Sequence, residues 1–311
     1  MLKRPLPPEP TKPTEHPYPL LIYFLSSSTQ AGALTIVSVP LDKAMYLSQI
    51  HRRPVLRKAN FIAPYQGSLQ TVVQKCIFGS TYFIAQDEGR VHLFPLMAEH
   101  LNGGKTVGDL SVGLFAGASN GILGNPLSTV KYHAWCDDKA KYLPTAREMW
   151  KHGRWTFYLN GTPASALRDS LFGMLYEGSR GFFHQKLVVS QQTPCPDSRL
   201  LDFGINSTSG ILASILSSPI NYARNKQHHH AQQALKNHTP LKPQPSTPAL
   251  LSSLYAESKK EKTPLARLNF LANACNMKWI PLRVGGGMAL SQFIYEEAKE
   301  FYEARLPMKK P

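Results

Sequence analysis

Cysteine is scarce in this sequence, and its spacing excludes two classes of small stabilised protein. The four cysteines are Cys76, Cys136, Cys195 and Cys275. None of them forms a C-x-x-C pair, so they indicate neither a disulfide scaffold nor a cysteine-based metal site. His228–His230 and His238 are the other potential ligands. They fall in a segment rich in Pro, Gln and Lys that we interpret as a loop, and we therefore expect no bound metal.

Acidic residues are also few, since 20 Asp and Glu stand against 35 Lys and Arg, for a formal net charge of +15. Such an excess of positive charge favours an anionic partner. The sequence contains no nucleic-acid recognition motif and no basic-aromatic strip, so nucleic acid is not the partner we expect. Anionic lipid headgroups fit better. No catalytic arrangement is visible, and we predict that the protein is not an enzyme.

The N-terminal segment, residues 1–18, lacks the features of a cleaved targeting sequence. No apolar core follows its basic start, and Glu9 and Glu15 argue against an Arg-rich transit peptide. The segment is rich in proline, which predicts an extended tail. Any organelle address is then expected to be internal.

Charge is absent from three longer stretches, at 17–41, 111–130 and 203–223. Each meets the length of roughly 20 residues that a membrane-spanning helix requires. They are rich in Ser, Gly, Thr and Asn, which is typical of helices that line a wet cavity or pack closely on neighbours. Mean hydropathy over the chain is −0.25, a value typical of soluble proteins. Three buried helices of a soluble protein are therefore the alternative.

An internal repeat becomes visible when these stretches are aligned on a proline near each C-terminal end. The prolines are Pro40, Pro126 and Pro219. A proline inside a helix kinks it and frees a carbonyl group. The alignment predicts a tail at 1–18 followed by three units, at 19–104, 105–196 and 197–311. The third unit carries a long polar insertion at about 228–248.

A second motif follows the proline segment in each unit and ends at Gln74, Arg168 and Arg283 in turn. We expect each copy to open a further helix, which gives three pairs of helices. Near the far ends of the first and third of these helices lie the acidic-basic segments 86–90 and 295–299.

In order and in register, these motifs resemble the mitochondrial carrier family over nearly the whole chain. Residues 283–299 look like the sixth helix of that family, and residues 168–176 like a fourth helix of its amino-acid-carrying branch. The resemblance implies an all-α membrane protein, a three-fold pseudo-symmetric carrier bundle of six transmembrane helices. It also implies a multi-pass location in the mitochondrial inner membrane, and alternating-access transport of a small carboxylate or amino-acid-type metabolite.

The resemblance places a substrate at the level of Gln74, Arg168 and Arg283. An arginine within a membrane helix is costly unless it faces water or a counter-charge, and its planar fork suits a carboxylate or phosphate. Asp169 is able to accept an ammonium group. Gln74 replaces an arginine of the nucleotide carriers, which argues against ADP/ATP exchange. The alternative is a structural Arg168–Asp169 pair without a ligand.

The same resemblance implies two gates made of ion pairs. The matrix gate is expected at Asp42, Gln49, Lys131 and Arg224, with Asp42–Lys131 as its remaining ion pair. The cytoplasmic gate is expected at Asp87, Arg90, Glu296 and Lys299, with Glu296–Arg90 as its remaining pair. Other gate positions lack the expected acidic or basic residue, for example Ser128, which replaces an acid.

Gly67 and Gly161 precede two of the polar helices. Free backbone N–H groups at a helix N-terminus bind anions, and in the resembling family such sites hold cardiolipin. We therefore expect cardiolipin as a bound lipid, and no other cofactor. Plain turn glycines are the alternative. Gly117 and Gly121 form a G-x-x-x-G pair, which indicates close helix packing.

Three departures from the family support a second hypothesis, a carrier fold that no longer transports. The gates are eroded, the stretch between Gln49 and Tyr65 is too short for the usual matrix helix, and the third loop is long. Such a protein would serve as an accessory structural subunit of a respiratory-chain assembly or of another large inner-membrane complex.

Overall fold

The computed structural model of the chain describes residues 19–100, 104–187, 198–241 and 243–305. The predicted tail at 1–18 lies outside the described residues. The described part is all-helical, as the sequence predicts. Its α-helices are α1 (Pro19–His51), α2 (Ser68–Glu88), α3 (Phe94–His100), α4 (Gly104–Trp135), α5 (Tyr142–Gly153), α6 (Trp155–Tyr158), α7 (Thr162–Leu187), α8 (Ser198–Lys236), α9 (Thr247–Ser258), α10 (Pro264–Ala274) and α11 (Gly286–Arg305).

Four shorter helical segments complete the described part. Two are 3-10 turns, at Lys58–Asn60 and Met277–Trp279. Two are π turns, at Gly89–Leu93 and Pro281–Gly285. The first π turn continues α2 into α3, and the second leads into α11. Single π turns of this kind are frequent at functional sites.

Six long helices form a closed ring. Around the ring, α1 packs on α2, α2 on α4, α4 on α7, α7 on α8, α8 on α11, and α11 on α1 again. Helix α5 packs against α4, α9 packs against α8, and α10 packs against α9. A closed ring has an inner space that all six helices can face, and this space positions the candidate site.

Each of the three aligned prolines lies inside a long helix, Pro40 in α1, Pro126 in α4 and Pro219 in α8. The helices continue past the prolines. At Pro219, the carbonyl of Ile215 has no backbone donor because proline lacks an N–H. The hydroxyl of Ser218 donates to this oxygen at 2.8 Å, which restores the missing hydrogen bond.

The contact between α4 and α7 is backbone to backbone. A Cβ atom on Gly117 would lie 2.0 Å from the carbonyl oxygen of Asp169, and one on Gly121 would lie 2.7 Å from that of Ser165. Gly113 and Gly173 approach each other in the same way. The two helices meet this closely because these positions lack side chains, as the G-x-x-x-G spacing predicts.

The ring exposes many large apolar side chains, and many of its buried positions are polar. Exposed apolar side chains occur on every helix of the ring, among them Phe24, Ile36, Val37, Leu69, Ile77, Phe115, Ile122, Leu167, Phe182, Leu216, Phe293 and Phe301. Buried polar side chains include Ser26, Ser27, Thr35, Asn125, Asn206 and Ser209. The exposed faces of the ring helices therefore carry many apolar side chains, and the contacts between the helices include many polar side chains.

The predicted fold class, a carrier bundle of six transmembrane helices, is wrong in its membrane part. Among the described helices, none combines the length and the apolar character that crossing a membrane requires. The three charge-free stretches do form helices of sufficient length, for example the 33-residue α1. Their Ser, Gly, Thr and Asn residues lower the hydropathy that the absence of charge alone suggested.

The short connection between α1 and α2 contains no α-helix, only the 3-10 turn Lys58–Asn60. Lys43 holds this connection in place. Its ammonium group is fully buried, donates to the carbonyl of Ile62 and to the side chain of Gln66, each at 2.8 Å, and pairs with Asp138 at 3.0 Å. The buried lysine therefore fixes the short connection to α1 and to the segment after α4.

The interpretation of residues 228–230 as a loop is wrong, because α8 continues through these three histidines to Lys236. His228 is fully buried there and stacks on Tyr132, with ring centroids 5.0 Å apart. Polar composition predicted a loop at this point, but packing inside the ring selects a helix.

Candidate functional site

Five basic side chains from five segments of the ring act on one another electrostatically. They are Lys75 of α2, Lys131 of α4, Arg168 of α7, Arg224 of α8 and Arg283 of the π turn before α11. Because their charges act on one another, these side chains lie close enough together to define one basic site. We refer to this set as the central basic site.

Two carboxylates belong to the central basic site, and each has an arginine partner. Arg283 donates a hydrogen bond through Nε to Oδ1 of Asp42 on α1, and Arg168 pairs with the neighbouring Asp169. The expected ion pair of Asp42 was with Lys131. The charge of Lys131 does act on Asp42, but the direct contact is with Arg283.

The other three cations are held by neutral groups. Lys75 donates to the hydroxyl of Ser38 at 2.8 Å, and Arg224 donates to the hydroxyl of Tyr132 at 2.7 Å. The ammonium of Lys131 lies 5.1 Å from the ring centre of Trp135. Within the described residues, none of these three cations forms an ion pair with a carboxylate. The central basic site thus has three positive charges without a carboxylate partner.

The pKa values of the site are set first by burial and then by the neighbouring charges. Burial lowers the pKa of Lys75 to about 8, and the charges of Lys131 and Arg283 act in the same direction, against that of Asp42. Burial and then the charge of Arg168 lower the pKa of Arg224 to about 10. Burial alone would raise the pKa of Asp42, but the charge and the hydrogen bond of Arg283 outweigh it and lower this pKa from 3.8.

Gln74, the third expected substrate contact, faces a neighbouring helix. Its amide donates to the hydroxyl of Ser128 on α4 at 2.8 Å and contacts the carbonyl of Gly124 at 3.4 Å. Lys75, the next residue, reaches the central basic site instead. No motif marks Lys75 in the sequence, because it lies one residue beyond the aligned motif column.

Gln49 and Arg224, two further residues of the expected matrix gate, lie near Asn225. The side-chain oxygen of Gln49 accepts a hydrogen bond at 2.6 Å from Asn225. The Arg224 guanidinium also donates to Asn225, at 3.2 Å. Gln49 therefore links α1 to α8, and Arg224 belongs to the same site as the expected substrate contacts. The structure brings most of the two expected sets, matrix gate and substrate contacts, into one region.

A second polar cluster lies farther along the same helices, where the cytoplasmic gate was expected. Arg90 pairs at 3.0 Å with Glu177 of α7, whereas its expected partner was Glu296. Gln86 donates to the same carboxylate at 2.8 Å. Glu177 is nearly fully buried, and no motif marked it in the sequence.

The remaining expected residues of this gate lie near the second cluster. The charge of Glu296 acts on Tyr176, the neighbour of Glu177. Burial raises the pKa of Asp87 above 3.8, although Arg90 and Lys299 act against it. Lys299 lies 3.9 Å from Glu303 on its own helix. These residues form a polar network that is separate from the central basic site.

Gly67 and Gly161 both have positive φ angles, of 75° and 74°. A left-handed backbone is a conformation that glycine adopts without strain, so the turn itself accounts for the glycine at each position. Asn276, at the matching position of the third motif, has a φ of 56°. Asparagine tolerates this region better than most residues. The binding of cardiolipin at Gly67 and Gly161 stays a prediction.

The fold and the site define a class: an all-helical protein in which a ring of six long helices carries a partly buried basic site. No protein-family model matches the chain, and a search of characterised proteins finds no match. The resemblance to the mitochondrial carrier family therefore stays a prediction from the sequence.

Proposed function

We propose that this protein binds a small anionic metabolite with two or more carboxylates at the central basic site. One observation carries the proposal: among the described residues, three of its five cations, Lys75, Lys131 and Arg224, make direct contacts only with neutral groups. Removing a charge from water costs several kcal/mol unless a counter-charge compensates it. A ligand with several carboxylates supplies that compensation.

The two protein carboxylates are already engaged, and this bears on the class of ligand. Asp42 and Asp169 each contact an arginine. An amino acid would need a free carboxylate for its ammonium group, whereas a dicarboxylate or tricarboxylate needs only cations. The donor groups of arginine and lysine suit carboxylate oxygens. The geometry therefore favours a polycarboxylate over an amino acid.

Thermal unfolding in the presence of candidate anions tests the proposal. We expect citrate or succinate to raise the melting temperature more than glutamate, phosphate or chloride at equal ionic strength. A ligand at one hundred times its Kd stabilises a protein by about 2.7 kcal/mol. We expect Arg224→Gln to remove this stabilisation.

The matched control is Arg147→Gln, which removes an exposed arginine of α5 outside the site. This variant should respond to citrate as the unmodified protein does. Equal responses of all three proteins, or none to any of the anions, would contradict the proposal. A response to phosphate above that to citrate would replace the carboxylate by a phosphate ligand.

Binding alone is proposed. The alternating transport and the mitochondrial inner-membrane location that the resemblance implies stay predictions, and the anion-binding proposal depends on neither of them.

A second candidate function, an accessory structural subunit of a larger assembly, is favoured by the surface. Exposed apolar patches of large extent are typical of interaction sites. A cavity of about 580 Å³ also lies beside the short α1–α2 connection, lined by Gln49, Arg52, Val55, Tyr222, Phe270 and Trp279 among others. The native mass of the protein after mild extraction from cells tests whether it is a subunit of a larger assembly. A particle far larger than the chain mass of 34.7 kDa would support the candidate, and a monomer would contradict it.

A further inference from the structure

Away from the central basic site, three potential metal ligands converge between α5 and the end of α8. Glu148 and His152 lie one turn apart on α5, and His238 follows α8. Each offers one ligand atom, and these atoms all lie within 4.8 Å of one another. All three residues are exposed, so an ion from solution has direct access to them.

The two imidazoles have the separation that a tetrahedral metal site needs. Nδ1 of His238 lies 3.2 Å from Nε2 of His152. Two ligands at Zn–N distances of about 2.0–2.1 Å in tetrahedral geometry lie about 3.3 Å apart. The nitrogen atoms therefore need to move little to share one ion.

The backbone holds His238 in an unusual conformation that directs the chain back toward α5. His238 has a φ of 51°. The N–H of Thr239 bonds to the carbonyl of Ala234 at 2.9 Å, and the N–H of His238 bonds to that of Leu235 at 3.1 Å. This is the Schellman motif, in which glycine usually occupies the left-handed position. Here a histidine occupies it.

A hydrophobic cluster beneath the three ligands fixes α5 against α8. Met149 and Phe157 are buried together with Ala231 and Leu235. Met149 follows Glu148 directly, and Leu235 precedes His238 by less than one turn. The ligands therefore project from two elements whose relative position is set by packing rather than by the ligands themselves.

We propose that Glu148, His152 and His238 bind a divalent transition-metal ion, with Zn²⁺ as the best fit and water as the remaining ligand. Two imidazoles and one carboxylate form a donor set that suits Zn²⁺, whereas Mg²⁺ and Ca²⁺ prefer sites made of oxygen alone. Three protein ligands with an open position are typical of accessible zinc sites. The bound ion joins α5 to the segment after α8 and restrains the α8–α9 connection.

Zinc binding to the full chain tests the proposal. The protein carries a purification tag without histidine, is stripped with a chelator, and is titrated with Zn²⁺ against a chromophoric chelator. We expect one Zn²⁺ per chain. Because loss of a group that merely orients a ligand costs about 10–100-fold in metal affinity, His152→Ala should weaken binding by about tenfold or more. Co²⁺ as a substitute should give the visible spectrum of a tetrahedral site.

Two further variants separate this site from the rest of the histidine-rich segment. His238→Asn removes a ligand but keeps a residue that tolerates the left-handed backbone, so it should weaken binding without unfolding the turn. His230→Ala removes an exposed histidine of α8 outside the cluster and should bind Zn²⁺ as the unmodified protein does. Far-UV circular dichroism confirms that each variant is folded.

Limited proteolysis gives a second readout, because bound Zn²⁺ should slow cleavage in the α8–α9 connection of the unmodified protein but not of His152→Ala. The proposal is overturned if His152→Ala and His238→Asn bind Zn²⁺ as tightly as the unmodified protein, or if His230→Ala alone loses binding. Absence of Zn²⁺ binding by the unmodified protein overturns it as well.

Discussion

Asp42 and Arg283 form an ion pair that joins α1 to the π turn before α11, although 241 positions separate them in the sequence. The family resemblance predicts different roles for them, Asp42 in a gate and Arg283 in a substrate site. In the structure they belong to the same site. The pair shares its surroundings with Lys131 and Lys75, so any anion that binds there competes with Asp42 for Arg283.

We expect Asp42→Asn to lower stability and to tighten anion binding. The variant leaves Arg283 without its carboxylate, which costs about 1–3 kcal/mol because the arginine is partly exposed, less than for a fully buried pair. Added citrate should restore part of the lost melting temperature. Asp137→Asn, at an exposed position, is the control. An Asp42→Asn protein that binds citrate more weakly than the unmodified protein would contradict this expectation.

Anion affinity should fall as pH rises above about 8. Burial lowers the pKa of Lys75 to about 8, so this lysine is charged below that pH and neutral above it. Only the charged form attracts an anion. A Lys75→Arg variant stays charged and should shift the fall in affinity to higher pH. Citrate titrations between pH 7 and pH 9 measure the effect, and identical profiles for the two proteins would exclude Lys75 from binding.

The free energy of unfolding should decrease as pH falls from about 6.5 towards 4. Burial lowers the pKa of His133 to about 4, so the unfolded chain takes up this proton at higher pH than the folded chain does. Stability is therefore complete above pH 6.5 and is lost through that window, by up to about 1.4 kcal/mol per pH unit for one group. His133→Asn keeps a donor towards the carbonyl of Thr129. Denaturant titrations at several pH values should show that the free energy of unfolding of this variant falls less steeply with decreasing pH. The same slope as in the unmodified protein would contradict the assignment of this effect to His133.

Two glycine substitutions should have opposite effects on stability. In Gly117→Ala, the new methyl group would lie 2.0 Å from the carbonyl oxygen of Asp169, so α4 and α7 must separate. Overpacking of this kind costs about 1–3 kcal/mol or more. At Gly204, within α8, nothing lies within 4 Å of the added atom, and alanine should stabilise the helix by about 0.5–1 kcal/mol. A Gly117→Ala protein that melts no lower than the unmodified protein would refute the close approach of α4 and α7.

Local signals in the sequence predicted local features well. The helical class was predicted from the charge-free stretches, the repeat and the family resemblance, and the three prolines do lie in three long helices. Each copy of the second motif also contains the start of a helical segment, with a left-handed residue, Gly67, Gly161 or Asn276, directly before it. The membrane part of the prediction failed because the absence of charge was taken as a measure of hydropathy, and the hydroxyl and amide groups of α1, α4 and α8 were given too little weight.

Partners of side chains were predicted poorly, because a partner depends on the three-dimensional neighbours of a residue. Arg90 pairs with Glu177, which belongs to no recognised motif. Lys75 reaches the central basic site from a position next to the motif column. The Glu148–His152–His238 cluster joins segments far apart in the chain, and only the left-handed turn at His238 brings them together. No spacing in the sequence predicts that these three residues lie close together.

The packing of α1 on α11 makes the order of the helices circular. The two run antiparallel, since Thr29 near the start of the chain contacts the hydroxyl of Tyr302 near its end, at 3.1 Å, while Asp42 contacts Arg283 at the other end of the pair. A short linker between the start of α1 and the end of α11 would therefore span little distance. New termini opened in the α8–α9 connection would leave every helix of the ring intact. The ring has no obligatory first helix, and circular permutation should preserve it.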